Sequence, residues 1–430
     1  MNKVSWIHLS DLHYCEPRTG WDSKDILEKL ILDLKNMEKE IGVQPDFLFF
    51  TGDMAFGEVN DKEGMNLDDQ YEGINIFLKE ICKSFKKEIP RENIFLVPGN
   101  HDVNRKLVNK ALTKWLDDQE DENEITEMIK NSDQLWDDYM RRLTNYRSFL
   151  ENNGFDHLLC DSSRLLYSVK REVGDICVGI GGFNSVWSCC RPSKEEKANL
   201  WLGAKWQLKN ILSNLKETDF NIALIHHPPN WFVEREDKSF LTKIQEIFRF
   251  CLHGHEHDEW VTQLTNGHTM ISSDSCYGGV DEKNGYNIVC LDFDEQIGKI
   301  WLREYRSSGT GGWVPNLIPE ITDNSGLIEL ANTNWMNFTK FLSATPTLGD
   351  ITEQKENFKN GRRIKITLEG SIELYNQEFI SKLVQSISSL MEIEPKDIRI
   401  LDVVPTNNVN VELEIPNSIR ANFPIKLIVN

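Results

Sequence analysis

The chain has 430 residues, 40% hydrophobic and 27% charged, with 48 Lys+Arg against 68 Asp+Glu and a formal net charge of −20. At roughly 100–200 residues per domain this is two or three domains, or one large domain with an appendage, and the apolar fraction excludes a chain disordered throughout. The acidity excludes duplex DNA as a bulk partner, because backbone binding needs several Lys/Arg to displace counterions, but it leaves room for a small anion drawn in by a local positive charge such as a metal.

The chain begins MNKVSWIHLSDLHYC, whose apolar stretch contains His8 and Asp11 and is followed by no small-residue cleavage site. No signal peptide is therefore expected, and no apolar run nears the ~18 residues of a membrane span. Nine scattered cysteines without a C-x-x-C pair point to a reducing compartment, so cytoplasm is the expected address. Residues 1–103 alternate apolar strands with amphipathic helices: VSWIHLS, a helix over Ile26–Ile41, DFLFFTGD, a helix over Tyr71–Phe85, then NIFLVPGN. That βαβαβ rhythm predicts an α/β sheet covered by helices. Residues 104–152 read as two or three charged helices, an insertion rather than a core element, and Asp117–Asp138 holds ten carboxylates against one lysine, Lys130. The sheet pattern resumes at LLYSVKR and continues through IGKIWLREY, and the Gly/Pro-rich SSGTGGWVPN (307–316) marks the end of that domain at about 318. Residues 319–360 read as a linker with a short helix near Asn334–Leu342. Residues 361–430 read as a separate small α+β unit, with a helix over Glu378–Met391, and their 8 basic and 9 acidic side chains leave nearly all the negative excess to 1–360.

Five apolar runs end in residues able to bind a metal. WIHLS leads to Asp11 and His13, FLFFTG to Asp53, and IFLVPG to Asn100, His101 and Asp102; FNIALI leads to His226 and His227, and FCLHG to His255 and His257. Ligands of open α/β sheets gather at the carboxyl ends of strands, so these endings should converge. Carboxylate, imidazole and amide donors suit Mn²⁺, Fe or Zn²⁺ rather than Ca²⁺, and no thiolate among them forces Zn²⁺.

DLH, GD, GNHD, HHPP and GHEH in this order resemble the calcineurin-like metallophosphoesterase superfamily. The likeness spans roughly residues 1–305, through HLSDLH, TGDMAFGE, VPGNHDVNR, FNSVW and LHGHEH, and is nearest to bacterial members related to the cyclic-nucleotide phosphodiesterases. It implies an αββα sandwich with the helical insertion at 104–152, and the small C-terminal unit lies outside it. It also implies two divalent ions, foremost Mn²⁺, with Fe, Zn²⁺ and Mg²⁺ as alternatives. One ion would take Asp11, His13 and His257, the other Asn100, His226 and His255, with Asp53 bridging. Such a pair clamps a phosphate and lowers the pKa of a bridging water to give hydroxide for in-line attack. The neutral Asn100 keeps the ligand charge low, which favours an anionic substrate. His101 would protonate the leaving oxygen and Asp102 would orient its imidazole.

The remaining residues divide between support and substrate. His8 reads as a core or supporting histidine, His253 as support, His157 and His268 as surface residues, and Cys189–Cys190 as packing. Where protein phosphatases of this superfamily carry an arginine after the GNHE motif, this chain has Asn104, with Arg105 one further on, which disfavours a phosphoprotein substrate. Arg105, Asn184, Trp187 and Arg191 are candidate substrate contacts at the rim, with Trp187 against a base and an arginine against phosphate. The insertion is a candidate lid. The expected function is a phosphodiesterase on a nucleotide or small phosphodiester. The alternatives are a nuclease on single-stranded or short nucleic acid, in a bacterial defence setting, or an inactive phosphoesterase-fold sensor. No membrane partner is expected, and the C-terminal unit is assigned to self-association or a protein partner.

Overall fold

The computed structural model describes residues 2–58, 64–108, 110–131, 134–264, 266–279, 282–330, 349–352, 362–369, 399–405 and 408–415. They fall into two compact units, Met1–Phe338 and Thr339–Asn430.

In the first unit β1 (Lys3–Leu9), α1 (Glu16–Ile41), β2 (Phe47–Phe50), α2 (Leu67–Lys83) and β3 (Ile94–Leu96) reproduce the βαβαβ rhythm. α1 begins well before Ile26, because two helical stretches join across Gly20 (φ 65°), and it stops at Gly42, whose φ of 67° lets its N–H reach the Glu38 carbonyl. Asn66 caps α2 by accepting from Asp69 N, with Asp68 and Asp69 in the first turn where the helix dipole favours them. Four helices follow, α3 (Lys110–Asp117), α4 (Glu122–Asn131), α5 (Gln134–Met140) and α6 (Thr144–Asn152). Then come β4 (Tyr167–Val173), β5 (Ile176–Gly182), α7 (Ser193–Glu196), α8 (Ala204–Asn214), β6 (Phe220–Leu224), α9 (Glu234–Ile247), β7 (Phe250–His253), β8 (Trp260–Gln263), β9 (Thr269–Ser272), β10 (Gly285–Asp292), β11 (Ile297–Arg306), β12 (Gly312–Pro315) and β13 (Leu327–Glu329).

One sheet runs β12-β11-β10-β1-β2-β3 with β13 also on β11; the other runs β4-β5-β6-β7-β9-β8. β1, β2 and β3 are mutually parallel, as are β5, β6, β7 and β9. These strands are buried along nearly their whole length, as parallel strands covered on both faces must be. The sheets meet through aromatic contacts such as Trp6 of β1 on Phe250 of β7, 5.1 Å between centroids. On the outer face, Asp33 of α1 accepts from Arg303 Nε (2.9 Å) and Tyr286 Oη (2.6 Å), tying that helix to β10 and β11. Two helix-flanked sheets packed face to face are the αββα sandwich. Among the described residues no helix is long and apolar enough to cross a membrane.

Two expectations change. The 104–152 segment is part of the core, not an excursion from it. Leu112, Leu116, Ile125, Met128, Ile129, Trp136, Tyr139 and Tyr146 are buried in the same continuous apolar cluster as the sheets. Buried Arg142 donates to the carbonyls of Tyr139 (3.0 Å), Cys189 (2.6 Å) and Trp187, fastening the segment to the loop after β5. The first unit also extends past 318, since β13 pairs with β11.

In the second unit β14 (Gly349–Thr352), β15 (Arg362–Glu369), β16 (Arg399–Pro405) and β17 (Asn408–Ile415) form an antiparallel sheet in the order β14-β15-β17-β16. β14 lies in the segment read as linker. The helices expected near Asn334–Leu342 and Glu378–Met391 fall outside the described residues.

Candidate metal centre

The candidate ligands leave five parallel strands at their carboxyl ends: β1, β2 and β3 of one sheet, β6 and β7 of the other. The loops that carry them interlock, which accounts for the motif glycines. A Cβ on Gly99 would sit 2.0 Å from Asp53 N, and one on Gly254 would sit 1.8 Å from Ser10 Oγ and 2.5 Å from Asp11 Oδ2. Five of the ligand residues are in left-handed backbone: Asp11 (φ 50°), His13 (46°), Asp53 (50°), His255 (74°) and His257 (49°). For residues with a Cβ this costs of order 1–3 kcal/mol each and is retained where the site needs the side chain aimed that way.

The structure brings all seven together. Candidate donor atoms of Asp11, His13 and His257 lie within 4.8 Å of one another. Asp53 Oδ2 is 3.5 Å from His13 Nε2 and 3.3 Å from His226 Nε2, so it touches both groups. His226 Nε2 is also 3.0 Å from Asn100 Oδ1 and 3.1 Å from His255 Nδ1. His226 leads over His227 here: His226 Nδ1 donates to the Thr51 carbonyl at 2.7 Å, which leaves Nε2 a bare lone pair pointed at three other acceptors.

That arrangement is the test of fit for a cation. Lone pairs converging in a buried space repel unless a positive charge sits among them. Burial by itself would lower His226, yet the Asp53 carboxylate outweighs it and lifts its pKa to about 9; a proton is drawn where a cation belongs. His13 Nε2 is buried without a hydrogen-bond partner. The residues fit two ions, with carboxylate, imidazole and amide donors.

His101 N donates to Asp53 Oδ1 at 2.7 Å, and its ring Nδ1 donates to the Phe56 carbonyl at 2.7 Å, which leaves Nε2 free for proton exchange. Asp102 does not orient that ring. Its carboxylate turns back to accept from Gly99 N (2.8 Å), Ala55 N (3.2 Å) and Tyr71 Oη (2.9 Å), so it clamps the β2 and β3 loops together. Burial, reinforced by the Asp53 charge, pushes Asp102 up to about 6.

Two substrate candidates are corrected. Asn184 is fully buried; its Oδ1 accepts from Val186 N and Trp187 N, both at 3.1 Å, closing an Asx-type turn. Trp187 is equally buried against Trp136 (5.3 Å) and Tyr139 (5.4 Å), with Nε1 donating to Leu202 O. Arg105 and Arg191 do border a cleft of roughly 480 Å³, together with Asn100, His101, Phe56 and Glu58. Arg105 Nη1 pairs with Glu196 Oε1 at 3.1 Å, and Arg191 Nε with Asp117 Oδ1 at 3.0 Å. His8 is buried with Nε2 2.9 Å from Thr51 Oγ1, and His253 is buried. His157 is half-buried on the Ile94 carbonyl, and His268, expected at the surface, is fully buried with Nδ1 donating to Phe248 O at 2.6 Å.

An αββα sandwich with such a cluster at its strand ends defines a metallophosphoesterase. The sequence profile described as calcineurin-like phosphoesterase matches residues 5–259, and the chain belongs to that family. The uncharacterized metallophosphoesterase-like protein YydB of Bacillus subtilis (strain 168) is 24% identical over 321 residues, covering 71% of this chain and 61% of that protein, so the chain spans about three fifths of its relative's length. Among solved structures, a dimetal phosphatase from Danio rerio is similar at 11% identity, with 73% of this chain and 98% of that one covered and a TM-score of 0.39. A 5'-nucleotidase from Candida albicans is similar at 13% identity, over 67% of this chain and 47% of that one, with a TM-score of 0.36.

Proposed function

We propose that the chain is a metal-dependent phosphodiesterase acting on a nucleotide or another small phosphodiester, with Mn²⁺ as the ion that suits its thiolate-free donor set. The observation that carries this reading is the charge of the cleft beside Asn100 and His101. Its two arginines each have a carboxylate partner, Glu196 or Asp117, and Glu58 stands on the same wall. Little unpaired positive charge is left for a dianionic monoester, while a singly charged diester needs less. The apolar Phe56, Val108 and Pro192 of the wall give its second ester group a surface to lie on.

The seven residues would hold two divalent ions, which when bound would supply Lewis acidity toward the phosphoryl group and lower the pKa of water. The chain does the rest. Asp53 fixes the His101 backbone through the 2.7 Å bond from His101 N, and the Phe56 carbonyl fixes the ring, so that Nε2 is the ring atom placed to pass a proton to a departing alkoxide. Arg105, locked by Glu196 and the Arg191 carbonyl (2.9 Å), orients the ester group beyond the phosphate.

The test is hydrolysis of bis-p-nitrophenyl phosphate against p-nitrophenyl phosphate with Mn²⁺, followed by cyclic nucleotides, dinucleotides and single-stranded DNA. A higher kcat/KM on the diester, abolished by a chelator, is expected. Preference for the monoester overturns the diester assignment, preference for long single strands makes the protein a nuclease, and inertness of the metal-loaded protein makes it a sensor.

A further inference from the structure

A second group of ligand-type side chains lies outside the seven. Cys189, Glu196 and His227 are each fully buried, and one potential donor atom of each lies within 4.8 Å of the other two. They come from separate pieces of chain: the loop after β5, the end of α7 and the turn after β6. Two of their atoms, Glu196 Oε2 and His227 Nε2, are buried with no hydrogen-bond partner. An unpaired buried carboxylate oxygen or ring nitrogen costs roughly 1–3 kcal/mol, so two side by side call for an occupant.

In His227 and Glu196 the second polar atom is tied so that the first is presented. Ser185 Oγ accepts from His227 N at 3.2 Å and lies 3.1 Å from His227 Nδ1. With Nδ1 donating, Nε2 is left as a lone pair. Glu196 Oε1 accepts from Arg105 Nη1 and from Arg191 N, both at 3.1 Å, which leaves Oε2 free. The Cys189 carbonyl is held by Arg142 Nη1 at 2.6 Å, so its backbone is fixed as well. Metal-binding imidazoles and carboxylates are oriented in this way, by a hydrogen bond on the atom that does not bind.

We propose that Cys189 Sγ, Glu196 Oε2 and His227 Nε2 form a separate site for one Zn²⁺ ion. A thiolate, a carboxylate and a neutral imidazole are a zinc donor set. The thiolate and carboxylate offset the ion's two positive charges, and the Arg105 guanidinium on the carboxylate's other oxygen leaves the cluster with a single net positive charge. Three protein donors leave one tetrahedral position to a non-protein ligand. By joining the 183–191 loop to α7, the ion fixes the carboxylate that holds Arg105 and the backbone of Arg191, and so sets the wall of the cleft. Its three donors are other residues than the seven, although His227 also lies in one group with His226 and His255; the sulfur donor is what distinguishes this site from the seven-residue centre, whatever that centre hydrolyses.

The experiment is X-ray absorption at the zinc edge on full-length protein loaded with Mn²⁺ and one equivalent of Zn²⁺. It is paired with the near-ultraviolet thiolate-to-metal band after Co²⁺ replaces Zn²⁺. The seven-residue centre offers no sulfur, so one sulfur at about 2.3 Å from zinc and a cobalt–thiolate band report this site. Both signals are expected in the wild type, in Cys190→Ser and in Asp53→Asn, and should be lost in Cys189→Ser. No sulfur around zinc in the wild type overturns the proposal whatever the variants do. So does a band that survives Cys189→Ser.

Discussion

Gly99→Ala isolates the interlocking of the ligand loops from backbone strain, because Gly99 is not among the glycines at positive φ. The added methyl carbon would lie 2.0 Å from Asp53 N, 2.1 Å from Asp53 Oδ1 and 2.7 Å from Asp53 Cα. Relief requires a shift of at least about 1 Å, since non-bonded heavy atoms settle near ~3.5 Å. The obstructing atoms cannot swing away. Asp53 is pinned by the 2.7 Å bond from His101 N, and the Gly99 loop by the Asp102 clamp. Overpacking of this kind costs typically ~1–3 kcal/mol, and backbone obstruction places it at the upper end. At ~2–4 °C per kcal/mol for a domain of this size, Tm should fall by about 6–12 °C. A ~1 Å displacement of the shared carboxylate should cost about 10²-fold or more in kcat/KM on bis-p-nitrophenyl phosphate. Gly42→Ala is the control: φ is 67° there, but nothing lies within 4 Å. It should therefore cost only the left-handed penalty of ~1–2 kcal/mol, with full hydrolysis. Differential scanning fluorimetry and model-substrate kinetics read both variants. If Gly99→Ala melts within 2–3 °C of the control and hydrolyses normally, the loops do not interlock as described.

Asp53→Asn should lower bound metal from two ions to one or none and reduce turnover by about 10³-fold, because Asp53 Oδ2 lies within 3.5 Å of both His13 and His226; plasma mass spectrometry showing two ions at near-normal turnover would sink the bridging role. His101→Gln should keep both ions yet lose ~10²–10³-fold on a diester with an alkoxide leaving group and under ~10-fold on a nitrophenyl ester, and a larger loss on the activated ester contradicts proton donation. His268 has its pKa lowered by burial from 6.5 to about 4. The unfolded chain therefore takes up a proton first as pH falls from 6.5 to 4, and stability drops by roughly 1.4 kcal/mol per pH unit across that window. Urea unfolding of His268→Gln between pH 7 and pH 4.5 should show that slope reduced by one proton, and an unchanged slope refutes the assignment.

The positions of the candidate ligands were legible because each strand is short, parallel and buried, so the polar residues of the loop that follows it must lie at the carboxyl edge. Other features carried a signal that was misread. In the 104–152 segment Ile125, Met128 and Ile129 recur at helical spacing and all end in the core, although the surrounding carboxylates dominate the composition. Asn184 precedes two backbone N–H groups it can bond at i+2 and i+3, the pattern of an Asx turn, and that pattern argues against a rim position. Asp102 is adjacent to His101 in sequence, but the turn closed by its own N–H on the Gly99 carbonyl (3.1 Å) sends its carboxylate away from the imidazole. The left-handed backbone of Asp11, His13, Asp53, His255 and His257 had no local signature at all, since nothing but the surrounding loops imposes it.

Substrate choice was hidden for a different reason. Arg105 is answered by Glu196 and Arg191 by Asp117, pairs 91 and 74 residues apart in sequence. Read singly, the two arginines look like phosphate anchors on an acidic protein. Read as pairs, they are positioned side chains whose charge is largely spent, and the same Glu196 that restrains Arg105 keeps its other oxygen without a hydrogen-bond partner and groups with Cys189 and His227. The candidate metal ligands thus follow their own strands in sequence, whereas the arginine–carboxylate pairs beside them join the 104–152 segment to the loop after β5 and to α7, contacts that only the folded chain brings together. A cleft lined this way has little unpaired positive charge to give, and it is on that feature that the proposed preference for a diester over a monoester rests.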